Sequence, residues 1–247
     1  MNTNSLLLWS IGFLLFFGTA CKDSQTLVDV APDTSQEYFP LTIGKYLIYS
    51  VDSVFYKEDN PTDTVRILAR ETITDTLRDN EGALYYRVER SERATVNEPW
   101  VIRQVLGLKQ TKTQAERIEN NQRFISLTFP FQRNETWNGI AFNSDSLQIT
   151  VRGEVIEIYK DWESQYDEIF VPQAVNTFLF DSTVVVLHAN SDNFIEQRFN
   201  KEVYAKGIGL VVKEMAILDS QLNNGDRVWP DDAEKGFTMR QTLIEHN

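Results

Sequence analysis

The sequence has only one cysteine, Cys21, and only two histidines, His188 and His246. One cysteine excludes a disulfide within the chain, so folding has to rely on a hydrophobic core, which 247 residues can supply. Two histidines without a second cysteine argue against a zinc site. His188 follows four apolar residues of a predicted strand, and we therefore interpret it as a buried histidine with hydrogen-bonded ring nitrogens.

Basic residues are also scarce: 24 Lys and Arg stand against 36 Asp and Glu, which gives a net charge of −12. Because phosphate contacts need clustered Lys and Arg, this balance argues against nucleic acid as a partner. It also argues against electrostatic adhesion to anionic lipid. Asp231, Asp232 and Glu234 could hold calcium, but the twelve-residue calcium-loop pattern is missing, and a solvated acidic loop is predicted.

The common catalytic and cofactor motifs are missing from the sequence. It contains no Gly-x-Ser-x-Gly, no His-Glu-x-x-His and no cysteine besides Cys21. Gly207-Ile208-Gly209 lacks the third glycine of a dinucleotide fingerprint and is predicted to form a tight turn or bulge. We therefore predict no catalytic residue, no cofactor and no metal. Glycosidase chemistry, which needs only two carboxylates, stays compatible with 36 acidic residues.

No apolar run reaches the roughly 20 residues that a membrane-spanning helix needs. The longest run, residues 6–17, is broken by Ser10 and Gly12, and the small residues 18–20 separate it from Cys21. A short apolar run that ends in small residues is typical of a secretory signal peptide. A cleaved signal without lipid and an N-terminal helix are the alternatives.

Small residues directly before a lone cysteine resemble the lipobox of bacterial lipoproteins. The resemblance implies cleavage before Cys21, acyl chains such as palmitate on that cysteine, and a membrane anchor in the cell envelope. The protein would then be held at the outer membrane, periplasmic or surface-exposed. Residues 1–5 depart from the pattern because they contain no Lys or Arg. The predicted organisation is a signal peptide at 1–20, a lipidated cysteine with a flexible polar stalk at 21–37, and one domain at 38–247.

The remaining sequence shows a hydrophobic period of two. Apolar residues in 64–78 alternate with Thr and Arg, which is typical of a strand with one buried face. Turn residues at 79–82 and renewed alternation at 83–90 predict a hairpin over 64–90. Further strands are predicted at 46–56, 100–110, 124–129, 147–159 with a bulge at Gly153, 183–189, 195–204, 209–216 and 237–245.

No stretch of the sequence has a helical stripe. Many strands of similar length joined by short turns predict an all-β fold. We expect an antiparallel meander that forms a curved sheet, a sandwich or a barrel.

Three segments carry a resemblance to a known group of proteins. They are residues 38–44 (YFPLTIG), 136–139 (TWNG) and 204–211 (YAKGIGLV). In this order they resemble a group of uncharacterised lipoproteins from Bacteroidetes-type bacteria. That group has no established activity, so the resemblance implies location and fold only.

A second resemblance concerns covalent modification. Exported proteins of these bacteria carry O-glycans on the Ser or Thr of an Asp-Ser/Thr pair that precedes an apolar residue or Thr. The chain has this pattern at Ser53, Thr64, Thr76, Ser146 and Ser182. The alternative is that such a triplet is simply the entry of a strand, a turn residue followed by β formers.

The aromatic residues allow two interpretations. They could form a surface on which a glycan stacks, although aromatics at such positions more often belong to the core. The residues in question are Trp100, Trp137, Trp162, Trp229, Tyr85, Tyr86, Tyr159 and Tyr166.

Taken together, these patterns predict a lipid-anchored, monomeric protein of the cell envelope. It would be a non-catalytic binding or structural module, and the sequence does not identify its protein or glycan ligand. One alternative is a lipid or lipoprotein carrier, which requires an apolar cavity. The other is a surface glycan-binding or glycan-hydrolysing protein, and hydrolysis requires two carboxyl groups that face each other across a cleft.

Overall fold

A computed structural model of the chain describes residues 33–57, 62–221 and 228–247. Cys21 and the predicted signal peptide lie outside these residues. The described part contains a 3-10 helix at Ser35–Tyr38 and no helix long and apolar enough to cross a membrane. Its strands are β1 (Tyr46–Tyr56), β2 (Asp63–Arg78), β3 (Leu84–Arg93), β4 (Val101–Gln110), β5 (Gln114–Glu119), β6 (Gln122–Thr128), β7 (Thr136–Trp137), β8 (Gln148–Val151), β9 (Glu154–Glu157), β10 (Ser164–Val175), β11 (Phe178–Asp192), β12 (Glu196–Ala205), β13 (Gly209–Asp219) and β14 (Lys235–His246).

Twelve strands form one antiparallel sheet in the order β6-β5-β4-β3-β2-β1-β14-β13-β12-β11-β10-β7. The pairing of β1 with β14 joins the two ends of the folded chain, and all other pairs but one connect strands that follow each other in the sequence. The sheet is nearly closed into a barrel, so the predicted all-β antiparallel meander is confirmed. The strands β8 and β9 form a separate hairpin.

The two edge strands of the sheet, β6 and β7, are joined by the segment that follows β7. The N–H of Ile125 donates to the carbonyl of Gly139 at 2.8 Å, and Trp137 Nε1 donates to the carbonyl of Ile125 at 3.0 Å. The side-chain amide of Asn143 pairs with the backbone of Arg123 in β6. Its Oδ1 accepts a hydrogen bond from the N–H of Arg123 at 3.1 Å, and its Nδ2 donates one to the carbonyl of Arg123 at 2.7 Å. These bonds satisfy backbone groups that an open edge would expose.

The segment that contains the 3-10 helix packs into the main hydrophobic cluster. Tyr38 and Phe39 are buried, and the carbonyl of Glu37 accepts a hydrogen bond from the N–H of Gly207 at 2.9 Å. Because Ser35 is also buried, the packed part begins slightly before the predicted boundary at residue 38. The cluster further contains Ala115, Leu127, Phe129, Tyr166, Ile169, Val184, Val186, Tyr204 and Leu210.

The predicted strand over 147–159 is wrong, because this segment is the β8–β9 hairpin. Arg152 and Gly153 both have positive φ, 53° and 97°, which is the geometry of a two-residue hairpin turn. The change of apolar phase at Gly153 therefore marks a reversal of the chain and not a bulge. The other strand predictions overlap observed strands, whereas β5, β7 and β10 were not predicted.

Candidate functional site

One face of β12 is polar although it is buried. Glu196, Arg198, Asn200 and Glu202 alternate along β12, and each is less than a tenth exposed. Alternate residues of a strand share one face, so these four side chains lie on the same side of the sheet. Lys213 of β13 stands opposite Glu202 on that side. Buried polar groups need partners, and the neighbouring strands supply most of them: Glu202 contacts His188 of β11 and Lys213 of β13, and Arg198 contacts Asp219 of β13.

Charged and polar side chains from six strands form a continuous series, which we call the interior charge chain. Strands β5 and β13 are separated by five strands in the sheet, so contacts between their side chains cross the interior. The members of the interior charge chain, in order of contact, are Glu92, Arg90, Glu71, Arg117, Glu119, Lys213, Glu202 and His188.

Glu71 is the centre of the first half of the interior charge chain. Its carboxylate accepts two hydrogen bonds from the guanidinium of Arg117, at 2.6 and 3.0 Å, and one from Arg90 at 2.9 Å. Burial opposes ionisation of Glu71, but the two guanidinium groups outweigh it and lower its pKa to about 2. Glu71 is therefore a carboxylate throughout the neutral range.

Lys213 is the centre of the second half. Its Nζ lies 3.0 Å from Glu202 Oε1 and 3.7 Å from Glu119 Oε1. Burial lowers the pKa of Lys213, but the two carboxylates raise it further than burial lowers it. Burial likewise opposes ionisation of Glu202, and Lys213 together with His188 holds the pKa of Glu202 well below its ordinary value. All the charges here are paired at neutral pH.

The predicted interpretation of His188 is confirmed, since it is buried and both ring nitrogens have partners. Its Nδ1 lies 2.8 Å from Ser164 Oγ, and its Nε2 lies 3.2 Å from Glu202 Oε2. Ser164, His188 and Glu202 thus form a hydroxyl–imidazole–carboxylate series. Its ring nitrogens are exchanged relative to serine hydrolases, in which the hydroxyl bonds Nε2 and the carboxylate bonds Nδ1. However, Ser164 is fully buried, and a Cβ built on Gly139 would lie 2.4 Å from its Oγ. Gly139 therefore packs directly against this hydroxyl.

The second half of the interior charge chain borders a cavity of about 160 Å³, the interior cavity. Three of its lining residues, Phe124, Tyr159 and Trp162, form an aromatic wall with ring centroids 5.0–6.2 Å apart. Trp162 also stacks on His188 with an interplanar angle of 20°. The rest of the lining is mixed: Gly139, Ile158, Met215 and Phe237 accompany the polar residues Arg117, Glu119, Asn120, Ser126, His188, Asn200, Glu202 and Lys213.

Two buried polar atoms of the lining residues have no hydrogen-bond partner in the described part of the chain. They are Oδ1 of Asn200, an acceptor, and Nε1 of Trp162, a donor. Burying a polar atom without a partner costs about 1–3 kcal/mol, so such atoms call for an explanation. Each of the two atoms has an accessible surface below 1 Å², so neither faces the open space of the cavity.

The structure bears on both alternative functions. A second cavity, between Phe39, Leu41 and Leu210, has only about 50 Å³, whereas benzene occupies an apolar cavity of about 150 Å³. A lipid acyl chain does not fit there. Glu119 and Glu202 both line the interior cavity. Burial raises the pKa of each carboxyl, but cationic neighbours lower it by more, so the pKa of both groups lies below the ordinary value. A glycosidase acid needs a raised pKa, so this pair lacks the proton donor.

The aromatic residues singled out in the sequence do not form one surface. Tyr159 and Trp162 line the interior cavity, whereas Trp137 packs on Tyr166 with 4.8 Å between ring centroids. Trp100 lies elsewhere, beneath the guanidinium groups of two arginines. Only two of the eight aromatics therefore belong to the candidate site.

The residues of the predicted O-glycosylation pattern lie apart from the interior cavity. Thr64 and Ser146 are exposed, while Ser53, Thr76 and Ser182 are half-buried in strands. The hydroxyl of Ser182 lies 2.6 Å from the hydroxyl of Tyr38, so a glycan at this position would displace a core contact.

The acidic side chains near the C-terminus accept hydrogen bonds from nearby residues. Asp232 accepts a hydrogen bond from the N–H of Val228 at 2.7 Å, and Glu234 accepts one from Ser220 Oγ at 3.2 Å. Among the residues that the structure describes, no cluster of three or more His, Cys, Asp or Glu side chains could hold a metal.

No family model, no curated protein and no solved structure matches this chain. The candidate site therefore rests on its own geometry. Sequence reasoning missed most of it, although one signal was present: residues 196–202 alternate charged or amide side chains within a predicted strand, as a strand with a polar buried face does.

Proposed function

We propose that this chain is a lipid-anchored protein of the cell envelope that binds a small ligand in the interior cavity without transforming it. The observation that carries the binding function is the interior cavity of about 160 Å³, in which an aromatic wall stands beside charged side chains that are already paired with one another. The envelope location is supported by the apolar run at 6–17 and the small residues before Cys21.

A binding role agrees better with the site than a catalytic one. The carboxylates that line the interior cavity are already paired with cations, and the hydroxyl of Ser164 is covered by Gly139. Acid–base and nucleophilic catalysis need a group that is free to exchange a proton or attack a substrate. Binding needs only a cavity of fixed shape whose lining complements the ligand.

The anchor is tested by replacing its predicted attachment point. Cys21→Ser should move the protein from the membrane fraction to the soluble fraction, because no acyl chain can then be attached. Ser24→Ala, a change of similar size nearby, serves as the control and should leave the protein in membranes. If Cys21→Ser fractionates with membranes like the parent, the anchor proposal is wrong.

Binding is tested on the full chain, purified in mild detergent, by melting it with metabolites of several classes: monosaccharides, amino acids, nucleosides and fatty acids. A ligand at 100 times its Kd stabilises by about 2.7 kcal/mol, which raises the melting midpoint by roughly 5–10 °C. Ile158→Trp places a larger ring at the cavity wall and should abolish this shift. If no compound stabilises the parent more than Ile158→Trp, the binding proposal is wrong.

A further inference from the structure

We infer that the outer surface of β2, β3 and β4 binds a protein segment that presents carboxylates beside apolar side chains. This surface consists of Arg70, Arg93, Trp100, Ile102 and Val105, and we call it the arginine–tryptophan patch. It lies on the face of the sheet that points away from the interior cavity, so the inference is independent of the small-ligand function proposed above. Its evidence is the charge, the ordering and the exposed apolar area of the patch.

The strand pattern places both arginines of the patch on the outer face of the sheet. Arg70 stands between Ala69 and Glu71, which are both buried and face inward, and successive residues of a strand face opposite sides. Arg93 is the cross-strand partner of Leu68, which lies two residues before Arg70. Because cross-strand partners share a face, Arg93 also lies outside.

Trp100 orders the two guanidinium groups. It lies in the loop between β3 and β4, and its ring centroid is 4.1 Å from Cζ of Arg93 and 4.9 Å from Cζ of Arg70. Ile48 and Ser91, the cross-strand partners of Arg70 on either side, are buried although they share its outer face. Stacking fixes the arginine side chains in advance, so they lose less conformational entropy when a partner binds.

The charge of the patch is not neutralised within the chain. In the described ranges, neither Arg70 nor Arg93 forms an ion pair, and Arg93 donates only to the carbonyl of Val96, at 2.9 Å. Glu98, the acidic residue of the same loop, instead accepts a hydrogen bond from Thr95 at 3.2 Å. A guanidinium group binds a carboxylate through two parallel hydrogen bonds. Two half-buried arginines side by side therefore favour an acidic partner.

Exposed apolar side chains adjoin the arginines. Ile102 is 55% exposed and Val105 is 50% exposed. Ile102 pairs with Ser91, which in turn pairs with Arg70, so Ile102 lies about 10 Å from Arg70 across two strand spacings. Tryptophan and arginine next to apolar area are typical of the centre of a protein interface. A free anion would use the arginines alone, whereas a protein segment uses the apolar area as well.

The patch is unsuited to pairing with the same patch on a second copy of the chain. A symmetric contact brings each surface against itself, and four arginines would then meet without a carboxylate. Like charges across an interface oppose association. The occupant that complements the patch is a different chain that carries acidic and apolar residues.

The first experiment selects binders from displayed random peptides on the full chain in mild detergent. The selected peptides should combine Asp or Glu with Leu, Ile, Val or Phe. Fluorescence anisotropy then compares the best peptide with a copy in which Asn and Gln replace Asp and Glu, and the copy should bind about ten times more weakly. About 0.5 M NaCl should also weaken the acidic peptide, because salt screens exposed charges.

The second experiment changes the patch. Arg70→Gln and Arg93→Gln should each weaken binding of the acidic peptide about fivefold or more. Ile102→Glu adds a carboxylate beside the stacked groups without removing them, and it should weaken binding about tenfold at an unchanged melting midpoint. Arg133→Gln, at an exposed arginine between β6 and β7, removes the same charge elsewhere and should leave the affinity unaltered.

Four results would overturn the inference. One is a selection that yields no acidic and apolar peptide, and another is a peptide that binds the three patch variants as it binds the parent. Dimerisation of the parent that Ile102→Glu abolishes would assign the patch to a second copy. Binding to phosphatidylglycerol vesicles but to no peptide would assign it to lipid. Peptide affinity should be unchanged in Ile158→Trp, because that substitution alters the interior cavity and not the patch.

Discussion

Gly139 lies against the buried pair Ser164 and His188, where a larger residue does not fit. A Cβ at this position would stand 2.4 Å from Ser164 Oγ and 3.3 Å from His188 Nδ1. The same glycine accepts the backbone hydrogen bond from Ile125 that joins the edge strands. Gly139 thus leaves room for Ser164 beside His188 and also contributes a backbone hydrogen bond that joins the edges of the sheet.

At this residue scale we predict that Gly139→Ala lowers the free energy of unfolding by about 1–3 kcal/mol, because overpacking displaces Ser164. Urea unfolding measures the change. Gly107→Ala is the matched control, since its Cβ would meet Ile118 at an ordinary 3.5 Å and a strand favours alanine over glycine. Equal destabilisation by both substitutions would contradict the packing explanation.

Single residues also show where the sequence was sufficient. The apolar surroundings of His188 in the sequence predicted its burial correctly. Its partners could not be predicted, because Ser164 lies 24 residues before it and Glu202 lies 14 residues after it. Such contacts depend on strand register, and a one-residue slip would turn each side chain to the other face.

Among the strands and turns, those set by local sequence were predicted, and those that depend on contacts between distant residues were missed. The turn between β12 and β13 was predicted from Gly207 and Gly209, which stand between two strand patterns. Both glycines have positive φ in the structure, 74° and 103°. In contrast, β5 and β10 were missed. Buried charges such as Arg117 in β5 conceal the apolar face, and β10 contains Pro172 and three register shifts.

At the element scale we predict that Gly207→Val and Gly209→Val each destabilise the protein by about 1–3 kcal/mol. A Cβ on Gly207 would meet no atom within 4 Å, so the penalty there comes from the backbone conformation alone. Melting curves measure the effect.

The control for this pair is Ile208→Val, between the two glycines, which keeps a β-branched side chain and should change the melting midpoint little. An unshifted midpoint for both glycine variants would refute the structural account. Loss of ligand binding at unchanged stability would instead assign the two glycines to a binding site.

At the scale of the whole molecule, closure of the sheet brings the interior charge chain together. β5 and β13 are far apart in the order of the sheet, and only its curvature places Glu119 near Lys213. Sequence patterns predict which face of a strand is buried, but they do not predict which strands meet across an interior. The candidate site was therefore hidden until the strands were assembled.

The interior charge chain makes the stability of the whole molecule depend on pH. In the folded protein the pKa of Glu71 is about 2, against an ordinary value of 4.5. Because the folded pKa is lowered, the stabilisation is complete above about pH 5 and is lost as the pH falls towards 2. Glu71 alone accounts for about 3 kcal/mol over this range. We predict that the free energy of unfolding, measured in urea, falls accordingly between pH 5 and pH 3.

Two substitutions separate Glu71 from the other acidic residues. Glu71→Gln should lower stability at pH 7 by about 3–5 kcal/mol, because the guanidinium groups of Arg117 and Arg90 stay buried without their carboxylate. It should also flatten the fall in stability below pH 5, since the group that titrates is gone. Glu135→Gln, at an exposed carboxylate, should change neither quantity. A parent whose stability is constant from pH 5 to pH 3 would show that the buried guanidinium groups do not hold Glu71 in its ionised form.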